Sequence, residues 1–463
     1  MTRRRSFLAL AAGSWLGAGL SARGVAAARA GASAGGWRNW SGVETCMPRQ
    51  WLLPASLDEL AQLLKTAPGP LRCVGAGHSF SALVPTPGTL VSLDKLSGLL
   101  RVDRAAGTAT LGAGTRIAQA TRALDEAGVA LMNQPDIDMQ SLAGAMATAT
   151  HGTGARFGAM HADLVALQLL TPEGELIECS PALRPEVFRA AQVSLGSLGV
   201  LTELTLKVRP RHFLRRHVWL ARNEALFAQA EALVAKHQHF ELYLLPFTGH
   251  GAAISHDEVP ATQPVRPPAQ DEDVLADLKR LRDWLGPVPS LRRWVAAKAI
   301  AATDEEVAVD LSFELLSTVR RTRFNESEYH VPREQGVACL REVLALLERR
   351  NDVFFPVEFR FVRGDEAWLS PFHRRDSCSI AVHALAGEPH DYLVRELGPV
   401  FRRHGGRPHW GKLHDMGAAD LAARYPRWRD FLAVREALDP QGRMLTPYMR
   451  RLFGLEPSTG AVA

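Results

Sequence analysis

The chain has 463 residues, of which 46% are hydrophobic and 22% are charged, so it carries enough apolar material for the cores of two or three domains. Its formal net charge is +5, but no basic stretch is interleaved with aromatic residues, which argues against a nucleic-acid-binding protein. The five cysteines are odd in number and far apart. They predict neither a disulfide framework nor a CxxC metal site, and we expect no bound metal.

The chain begins with residues 1–34, which have the pattern of a targeting signal. Residues 4–8 are a twin-arginine pattern, and an apolar stretch then continues to residue 20. Small-residue cleavage sites follow at residues 28–30 and 32–34. The apolar stretch is too short and too rich in glycine and alanine for a stable membrane span. We expect export to the periplasm by the twin-arginine route, which carries folded, cofactor-loaded enzymes; a chance basic start before a disordered tail is the alternative.

A short buried strand at residues 71–74 is predicted to run directly into a glycine turn. Gly75 and Gly77 remove two side chains at the strand end, so backbone N–H groups face outward, a geometry that suits a diphosphate. His78 follows at once. The spacing lacks the third glycine and the later acidic residue of the dinucleotide fingerprint. A tight turn with a surface histidine is therefore the alternative.

The remaining N-terminal elements predict a mixed α+β domain with small sheets rather than a regular βαβ series. The predicted helices are a Ser56-capped helix with Glu59 in a capping box, a helix capped by Thr115 that runs to Ala127, 141–150 and 183–192. The predicted strands are 89–93, 108–111, 165–171, 174–179 and 201–208. The helix at 141–150 consists almost entirely of small residues, so a flat ligand or another helix can approach it closely, and its N-terminal amides could hold an anion.

A second domain is predicted from residue 211 onward. Its predicted helices are 224–236, 273–285 and 334–349, and its predicted strands are 240–245, 307–313, 354–362 and 379–385. In the strand at 354–362, Glu358 and Arg360 share one face, while Phe359 and Phe361 point the other way into a core. A solvated charge pair on an exposed sheet face is the alternative. Lys412 follows later in the chain, among aromatic residues and a glycine.

Together these segments resemble flavin oxidoreductases of the vanillyl-alcohol-oxidase type, and within them the subgroup of gulonolactone, arabinonolactone and alditol oxidases. The motifs that carry the resemblance are Gly75-Ala-Gly-His-Ser79, Ser141-Leu-Ala-Gly144, Thr148-Ala-Thr-His-Gly-Thr-Gly154, Ser197-Leu-Gly-Val200, Ser327-Glu-Tyr329, Glu358-x-Arg360, Trp368-Leu-Ser-Pro371 and His409-Trp-Gly-Lys412. They span residue 37 to the C-terminus in the order that the family shows.

The resemblance implies an α+β protein with a PCMH-type FAD-binding domain at 37–210 and a substrate-binding cap domain at 211–455. It implies FAD that is attached covalently through the imidazole of His78. The cofactor-binding residues that it implies are Cys73, Val74, Gly75, Ala76, Gly77, His78, Ser79, Asp136, Ser141, Gly144, Thr148, Ala149, Thr150, His151 and Val200.

The resemblance also implies that a CH–OH group of a sugar lactone, alditol or related polyol is oxidised, with hydride passing to flavin N5. Glu358 and Arg360 would bind the substrate hydroxyl, and Lys412 would stabilise negative charge on the reduced ring and bind a substrate oxygen. Asp136 and His383 complete the implied substrate-binding set. Electrons would pass to O2 to give H2O2 or, in a dehydrogenase of the same fold, to a periplasmic cytochrome or quinone. A non-catalytic binding protein is the remaining alternative.

Two segments depart from the alditol-oxidase pattern. Residues 135–136 are Pro-Asp where that group has Ala-Ser, and residues 381–383 are Ala-Val-His where it has His-x-Thr. Both departures fall at the substrate end, and Pro135 stands where this family controls the access of oxygen to the flavin. The identity of the substrate and the choice between oxidase and dehydrogenase therefore stay open.

Overall fold

The computed structural model of the protein describes residues 36–267, 271–300, 304–318 and 320–455. The predicted targeting signal at 1–34 lies outside these described residues. None of the helices among them is both long enough and apolar enough to cross a membrane.

Strands and helices alternate irregularly along the chain, which confirms the predicted α+β class. The strands are β1 (Trp37–Arg38), β2 (Thr45–Cys46), β3 (Gln50–Leu52), β4 (Leu71–Val74), β5 (Thr89–Ser92), β6 (Leu99–Asp103), β7 (Thr108–Gly112), β8 (Val129–Leu131), β9 (Leu164–Leu170), β10 (Leu176–Cys179), β11 (Val200–Pro210), β12 (Phe213–Arg222), β13 (His239–Leu245), β14 (His250–Val259), β15 (Glu306–Leu311), β16 (Phe324–Pro332), β17 (Val357–Val362), β18 (Ser377–Leu385) and β19 (Arg407–Pro408). The helices are α1 (Leu57–Thr66), α2 (Ile117–Glu126), α3 (Leu142–Ala147), α4 (Pro185–Ala191), α5 (Asn223–Lys236), α6 (Asp271–Leu285), α7 (Pro289–Ile300), α8 (Ser312–Leu316), α9 (Gly336–Leu347), α10 (Tyr392–Arg395), α11 (Leu397–Arg403), α12 (Ala418–Arg424), α13 (Trp428–Leu438) and α14 (Pro447–Phe453).

The N-terminal half contains a parallel three-stranded sheet in the order β3-β5-β4 and an antiparallel six-stranded sheet built around β9, β11 and β7. Helix α1 begins as predicted, because the Ser56 hydroxyl accepts a hydrogen bond from the Glu59 N–H at 3.1 Å. The Glu59 carboxylate accepts one in turn from the Ala55 N–H at 2.7 Å. The predicted N-cap Thr115 is wrong, since α2 begins at Ile117 and the Thr115 hydroxyl instead closes a turn by donating to the Gly112 carbonyl at 2.6 Å.

The C-terminal half is organised around one sheet with the strand order β15-β12-β14-β13-β17-β18-β16-β19. The predicted strand at 354–362 begins only at Val357, because Pro356 has no N–H for the ladder and the two preceding phenylalanines pack into a separate aromatic cluster. The strand predicted at 307–313 ends at Leu311, where α8 takes over. Strands β12, β14 and β16 and helix α7 had no counterpart among the predicted elements.

The register of this sheet separates an apolar face from a polar face. In neighbouring strands the apolar face aligns Leu242, Phe359, Ile380 and Tyr329, which are all buried. The polar face contains two rows of aligned residues in the same four strands. One row is Tyr243, Glu358, Ala381 and Glu328, and the other is Glu241, Arg360, Ser379 and His330. The prediction that Glu358 and Arg360 share a face opposite Phe359 is thus confirmed. The solvated alternative is wrong, because both charged residues are only 7% exposed.

The two halves are joined beside the glycine turn. The Phe80 N–H donates to the Gly411 carbonyl at 2.6 Å, and the Ser81 hydroxyl donates to the Trp410 carbonyl at 2.7 Å. These bonds hold the segment after His78 against the segment that carries Lys412.

The end of the chain returns to the N-terminal half. The Arg443 guanidinium donates to the carbonyls of Leu64 at 2.6 Å and Pro172 at 2.8 Å, and the Arg443 carbonyl accepts from the Leu71 N–H at 2.7 Å. The buried Arg72 donates to the Met444 carbonyl at 3.2 Å. The domain limits 37–210 and 211–455 stay a prediction, but Arg443 and Met444 contact the half that precedes 210.

Candidate active site

A cleft opens at the turn that follows β4. Of the residues predicted to bind the cofactor, those that line this cleft are Cys73, Val74, Gly75, Ala76, Gly77, His78, Ser79, Ser141, Gly144, Thr148 and Thr150. His409, Gly411 and Lys412 line it from the C-terminal half. The glycine turn, the small-residue helix and the lysine motif therefore meet at one cavity, although they are far apart in sequence.

Several wall positions have no room for a side chain. A Cβ added at Gly75 would lie 2.1 Å from the Ser141 hydroxyl oxygen, and one at Gly114 would lie 1.9 Å from the Leu93 carbonyl oxygen. Both glycines line the cleft, so the wall is bare backbone there, and its amides are the kind of group that holds a diphosphate. The residues present fit the predicted FAD. The small residues of helix α3 let a ligand approach closely, but its N-terminus is not free to bind an anion. The helix has only six residues, and its Gly144 N–H donates to the Ser141 hydroxyl at 3.3 Å.

His78 lies in this wall with its ring stacked on Trp40 at 5.3 Å between centroids. Burial, helped by the positive charges of Lys412 and Arg116, lowers the pKa of His78 to about 4. The imidazole is therefore neutral around pH 7 and keeps a lone pair. Burial raises the pKa of the neighbouring Cys73 thiol to about 11, so that thiol stays protonated.

Four predicted cofactor residues do not form the cleft wall. Val200 is buried in β11, although its neighbours Gly199 and Leu201 line the cleft. Ala149 is buried with a φ of +62°, a left-handed conformation that redirects the chain after α3. His151 contacts Glu328, as described below, and Asp136 belongs to the charged cluster on the large sheet.

That cluster is centred on Arg360. Its Nη2 atom lies 2.7 Å from Glu358 Oε2 and 3.1 Å from Asp136 Oδ2, and its Nε donates to Glu241 Oε2 at 2.8 Å. The Tyr243 hydroxyl accepts a further hydrogen bond from Nη2 at 3.0 Å. Although burial opposes the charge of Arg360, the surrounding carboxylates outweigh it and raise the pKa well above its ordinary value. Arg360 is consequently a permanent, immobilised cation.

Arg320 adds a second guanidinium to the cluster from the segment between α8 and β16. Its Nη2 lies 3.2 Å from Asp136 Oδ2 and 3.9 Å from Glu358 Oε1. Burial alone would raise the pKa of Asp136, but Arg360 and Arg320 outweigh it and hold that pKa well below its usual range. Asp136 is thus an ionised carboxylate between two guanidinium groups.

Lys412 links the cluster to the cleft. Its ammonium group forms an ion pair with Glu326 and lies 5.1 Å from the centroid of the Phe80 ring. Burial would lower the pKa of Lys412, but Glu326 outweighs it and raises the pKa. His383 Nε2 lies 3.8 Å from both Glu326 Oε1 and Glu358 Oε1. The residues predicted as catalytic or substrate-binding, namely Asp136, Glu358, Arg360, His383 and Lys412, therefore form one continuous set.

A buried His–Glu pair lies beside this set. His151 Nε2 is 2.8 Å from Glu328 Oε1, and His151 Nδ1 is 2.8 Å from the Gly152 carbonyl oxygen, so both ring nitrogens face acceptors. His330 brings a third potential ligand atom within 4.8 Å of the other two. Because His151 is hydrogen-bonded through both nitrogens, the arrangement reads as an ion pair rather than as a metal site.

Sequence reasoning missed four partners of the predicted catalytic and substrate-binding residues: Glu241, Tyr243, Arg320 and Glu326. Of these, only Glu326 had a local indication, since Glu326, Glu328 and His330 alternate along β16 in the same way as Glu358 and Arg360. Glu241 and Tyr243 face β17 across the sheet, and nothing in their own segment marks them.

Comparison with known proteins shows the family to which the chain is similar. The D-arabinono-1,4-lactone oxidase family model matches residues 204–452, and an FAD-binding-domain model matches residues 48–180. The chain is 34% identical to the L-gulono-1,4-lactone dehydrogenase of Mycobacterium tuberculosis over 430 residues, which cover 90% of this chain and 99% of that one. It is 31% identical to the alditol oxidase of a Streptomyces species over 426 residues, which cover 90% and 98% of the two chains.

Among solved structures, a solvent-stable cholesterol oxidase superposes with a TM-score of 0.73 at 18% identity, over 90% of this chain and 97% of that chain. At this identity the likeness concerns the fold alone.

Proposed function

The chain belongs to the D-arabinono-1,4-lactone oxidase family of FAD-linked oxidoreductases, and we propose that it oxidises a CH–OH group in a sugar lactone, alditol or related polyol. The observation that carries the proposal is the path of charged groups from the cleft to the sheet. Lys412 lines the cleft and pairs with Glu326, and His383 lies between Glu326 and Glu358. Such a row of buried donors and acceptors suits a substrate with several hydroxyl oxygens, because every polar group there needs a partner.

The side chains divide the work as follows. Glu358 accepts a hydrogen bond from the reacting hydroxyl, and Arg360, fixed by Glu241 and Asp136, donates to the oxygen. His383 binds a neighbouring substrate oxygen. Lys412 keeps its positive charge at the cleft wall, where negative charge develops. FAD supplies the acceptor for the two electrons that leave the substrate.

Flavin bleaching provides the test. The purified holoenzyme is mixed under nitrogen with sugar lactones, alditols and aldonic acids, and the loss of flavin absorbance is followed. We expect bleaching by at least one neutral lactone or alditol. If none of these compounds bleaches the flavin, the substrate class is wrong.

Covalent attachment of FAD through His78 is a second part of the proposal. It is supported by the position of His78 in the cleft wall and by the neutral state that burial imposes on its imidazole. After denaturation in acid, the parent protein should stay yellow and the His78→Ala variant should not. A control at a partly exposed histidine, His217→Ala, should behave like the parent. Flavin released intact from the parent would contradict the covalent bond.

The electron acceptor is either O2, with H2O2 as the product, or a periplasmic cytochrome or quinone. The second candidate is favoured by the relative at 34% identity, which is named as a dehydrogenase. Hydrogen peroxide yield and dye reduction are compared under air with the best substrate. Stoichiometric peroxide identifies an oxidase, whereas dye reduction without peroxide identifies a dehydrogenase.

Export to the periplasm through the twin-arginine pattern at residues 4–8 is a further proposal, supported by the sequence alone. Replacing both arginines of that pattern by lysine should retain the protein in the cytoplasm of a bacterial host. Unchanged delivery to the periplasm would contradict the route.

A further inference from the structure

The imidazole of His78 is held by a ring contact rather than by hydrogen bonds. The described part of the chain gives neither ring nitrogen of His78 a hydrogen-bond partner. Its ring instead stacks on the indole of Trp40, at 5.3 Å between centroids and 24° between planes. The χ2 angle of a histidine has a broad distribution, so a ring without hydrogen bonds needs such a contact to keep one orientation. The indole therefore determines the plane of the imidazole.

Trp40 supports the imidazole from outside the cleft. His78 lines the cleft, whereas Trp40 does not. The indole instead contacts the ring of Phe324 at 5.0 Å and the ring of Phe80 at 6.3 Å, both nearly edge to face. Because Phe324 belongs to β16, the indole is wedged between the glycine turn and the large sheet. This wedge fixes the imidazole and leaves its nitrogens available to a ligand in the cleft.

The backbone on both sides of His78 is tied to the segment that supplies the indole. The Trp40 N–H donates to the Gly77 carbonyl at 2.8 Å, directly before His78. The Asn39 side-chain amide donates to the Ser79 carbonyl at 3.0 Å, directly after it. The imidazole and the indole are therefore parts of one small unit. Stacking between them is a built feature of the turn and not a chance contact of two mobile side chains.

We propose that Trp40 is a positioning residue for the attachment of flavin to His78. The inference rests on the covalent bond proposed above and names a residue that makes its formation efficient. An imidazole that turns freely about χ2 presents a nitrogen to the ligand only part of the time, whereas a stacked imidazole presents it continuously. Trp40 acts through His78 and takes no part in the bond itself.

The attachment joins one imidazole nitrogen to a methyl carbon of the flavin ring. One C–H bond and one N–H bond are broken, one C–N bond is formed, and two protons and two electrons are released. Dioxygen takes up both, so that H2O2 is the second product and the bound flavin ends in its oxidised state. The reaction gains from any contact that holds the imidazole nitrogen beside the methyl group, because orientation is the part of the barrier that the protein can remove in advance.

The test is the rate of attachment in the full-length protein. Protein produced under riboflavin starvation is mixed with FAD in air-saturated buffer, and samples are precipitated with acid at intervals. The flavin fluorescence that stays with the pellet measures the covalent flavin, and the flavin bound before acid treatment measures the total. The first-order rate constant for bound flavin separates attachment from binding, which a merely structural role of Trp40 would change instead.

Two variants remove the aromatic ring and keep an apolar side chain: Trp40→Met and Trp40→Leu. We expect both to bind FAD and to attach it at least about tenfold more slowly than the parent. Two such variants are used so that poor folding of one leaves the comparison intact. Trp40→Phe restores an aromatic face, and its rate should lie within about threefold of the parental rate.

The matched control is Trp219→Leu. This substitution removes a partly exposed indole of β12 that also lies beside a histidine ring, at 4.9 Å from His217. The control should attach flavin at the parental rate. If it is as slow as Trp40→Met, attachment follows the general stability of the fold, and the positioning role is refuted.

Two further outcomes would overturn the inference: parental rates in both Trp40→Met and Trp40→Leu, or a rate in Trp40→Phe as low as theirs. A failure of the proposed function looks different. If the parent itself releases all its flavin in acid, the covalent bond is refuted, and the role of Trp40 falls with it. If the parent stays yellow and the Trp40 variants attach flavin equally fast, only the positioning role is wrong.

Discussion

The cofactor cleft and the charged face of the large sheet meet at Lys412, yet they are built in opposite ways. The cleft depends on missing side chains: Gly75 and Gly114 have no room for one, and backbone forms the wall. The charged face depends on the side chains that are present: Asp136, Glu358 and Arg360 are held in one network of ion pairs. We therefore expect the shape of the cleft to determine cofactor retention and the charged face to determine the reaction rate.

This difference matters because the two kinds of site fail differently. A buried charge that loses its partner leaves the other charge uncompensated, which is expensive. A glycine that gains a methyl group creates a local clash instead. Substitutions on the sheet should consequently leave flavin in place and slow the reaction. Substitutions in the cleft should instead lower the flavin content.

The largest effect is expected from the charged face. Glu358→Gln and Lys412→Met should slow flavin reduction by about a hundredfold or more, because each removes a charge at the reacting group. Stopped-flow absorbance under nitrogen measures the rate, and the flavin-to-protein ratio should equal that of the parent. Lys65→Met, at an exposed position in α1, is the matched control. Rates within about threefold of the parent would rule out these roles.

The cleft should respond in the opposite sense. Gly75→Ala forces a Cβ to within 2.1 Å of the Ser141 oxygen, and we expect a loss of about 1–3 kcal/mol in stability together with a lower flavin content. Thermal unfolding and the ratio of flavin to protein absorbance are the measurements. At Gly417 no heavy atom lies within 4 Å of an added Cβ, so Gly417→Ala is the control. Full flavin content with slow turnover in Gly75→Ala would abolish the distinction between the two regions.

A smaller effect is expected at the edge of the charged face. Arg320 shares Asp136 with Arg360 but is partly exposed, so Arg320→Met should raise KM by about tenfold with little change in kcat. Arg321→Met, one residue along and exposed, should match the parent. A drop in kcat without a change in KM would show that Arg320 acts in the chemical step rather than in substrate binding.

Acid should destabilise the protein through buried histidines of both regions. Burial lowers the pKa of His78 in the cleft wall to about 4. Burial also lowers the pKa of His239 and His414 to about 4, and both belong to the C-terminal half. Between about pH 6.5 and pH 4 the unfolded chain binds more protons than the folded chain, so stability falls as the pH falls, by about 1.4 kcal/mol per pH unit for each such histidine. Thermal unfolding between pH 7 and pH 5 shows the slope. His414→Phe should reduce it, whereas His217→Phe, at a partly exposed position, should not; identical slopes would contradict the assignment.

The sequence alone was sufficient to predict the features that depend on a local pattern of residues. The turn after β4 follows from an apolar run and two glycines, and the shared face of Glu358 and Arg360 follows from the alternation in β17. The order of strands in a sheet is not marked in the sequence of any single strand. The pairing of Glu241 and Tyr243 with β17 therefore could not be predicted. Arg320 lies between two elements, where no periodicity indicates the direction of a side chain. Glu326 could have been found, because its strand alternates in the same way as β17.

The return of the chain end has a consequence for biosynthesis. Arg72 in strand β4 donates to the carbonyl of Met444, which lies 372 positions later, and Arg443 donates to the carbonyl of Leu64, which lies 379 positions earlier. The nucleotide-binding half therefore cannot complete its packing until residue 444 has been translated. We expect flavin to be loaded after that point, and a nonsense codon before Arg443, which removes these contacts, should leave the protein colourless.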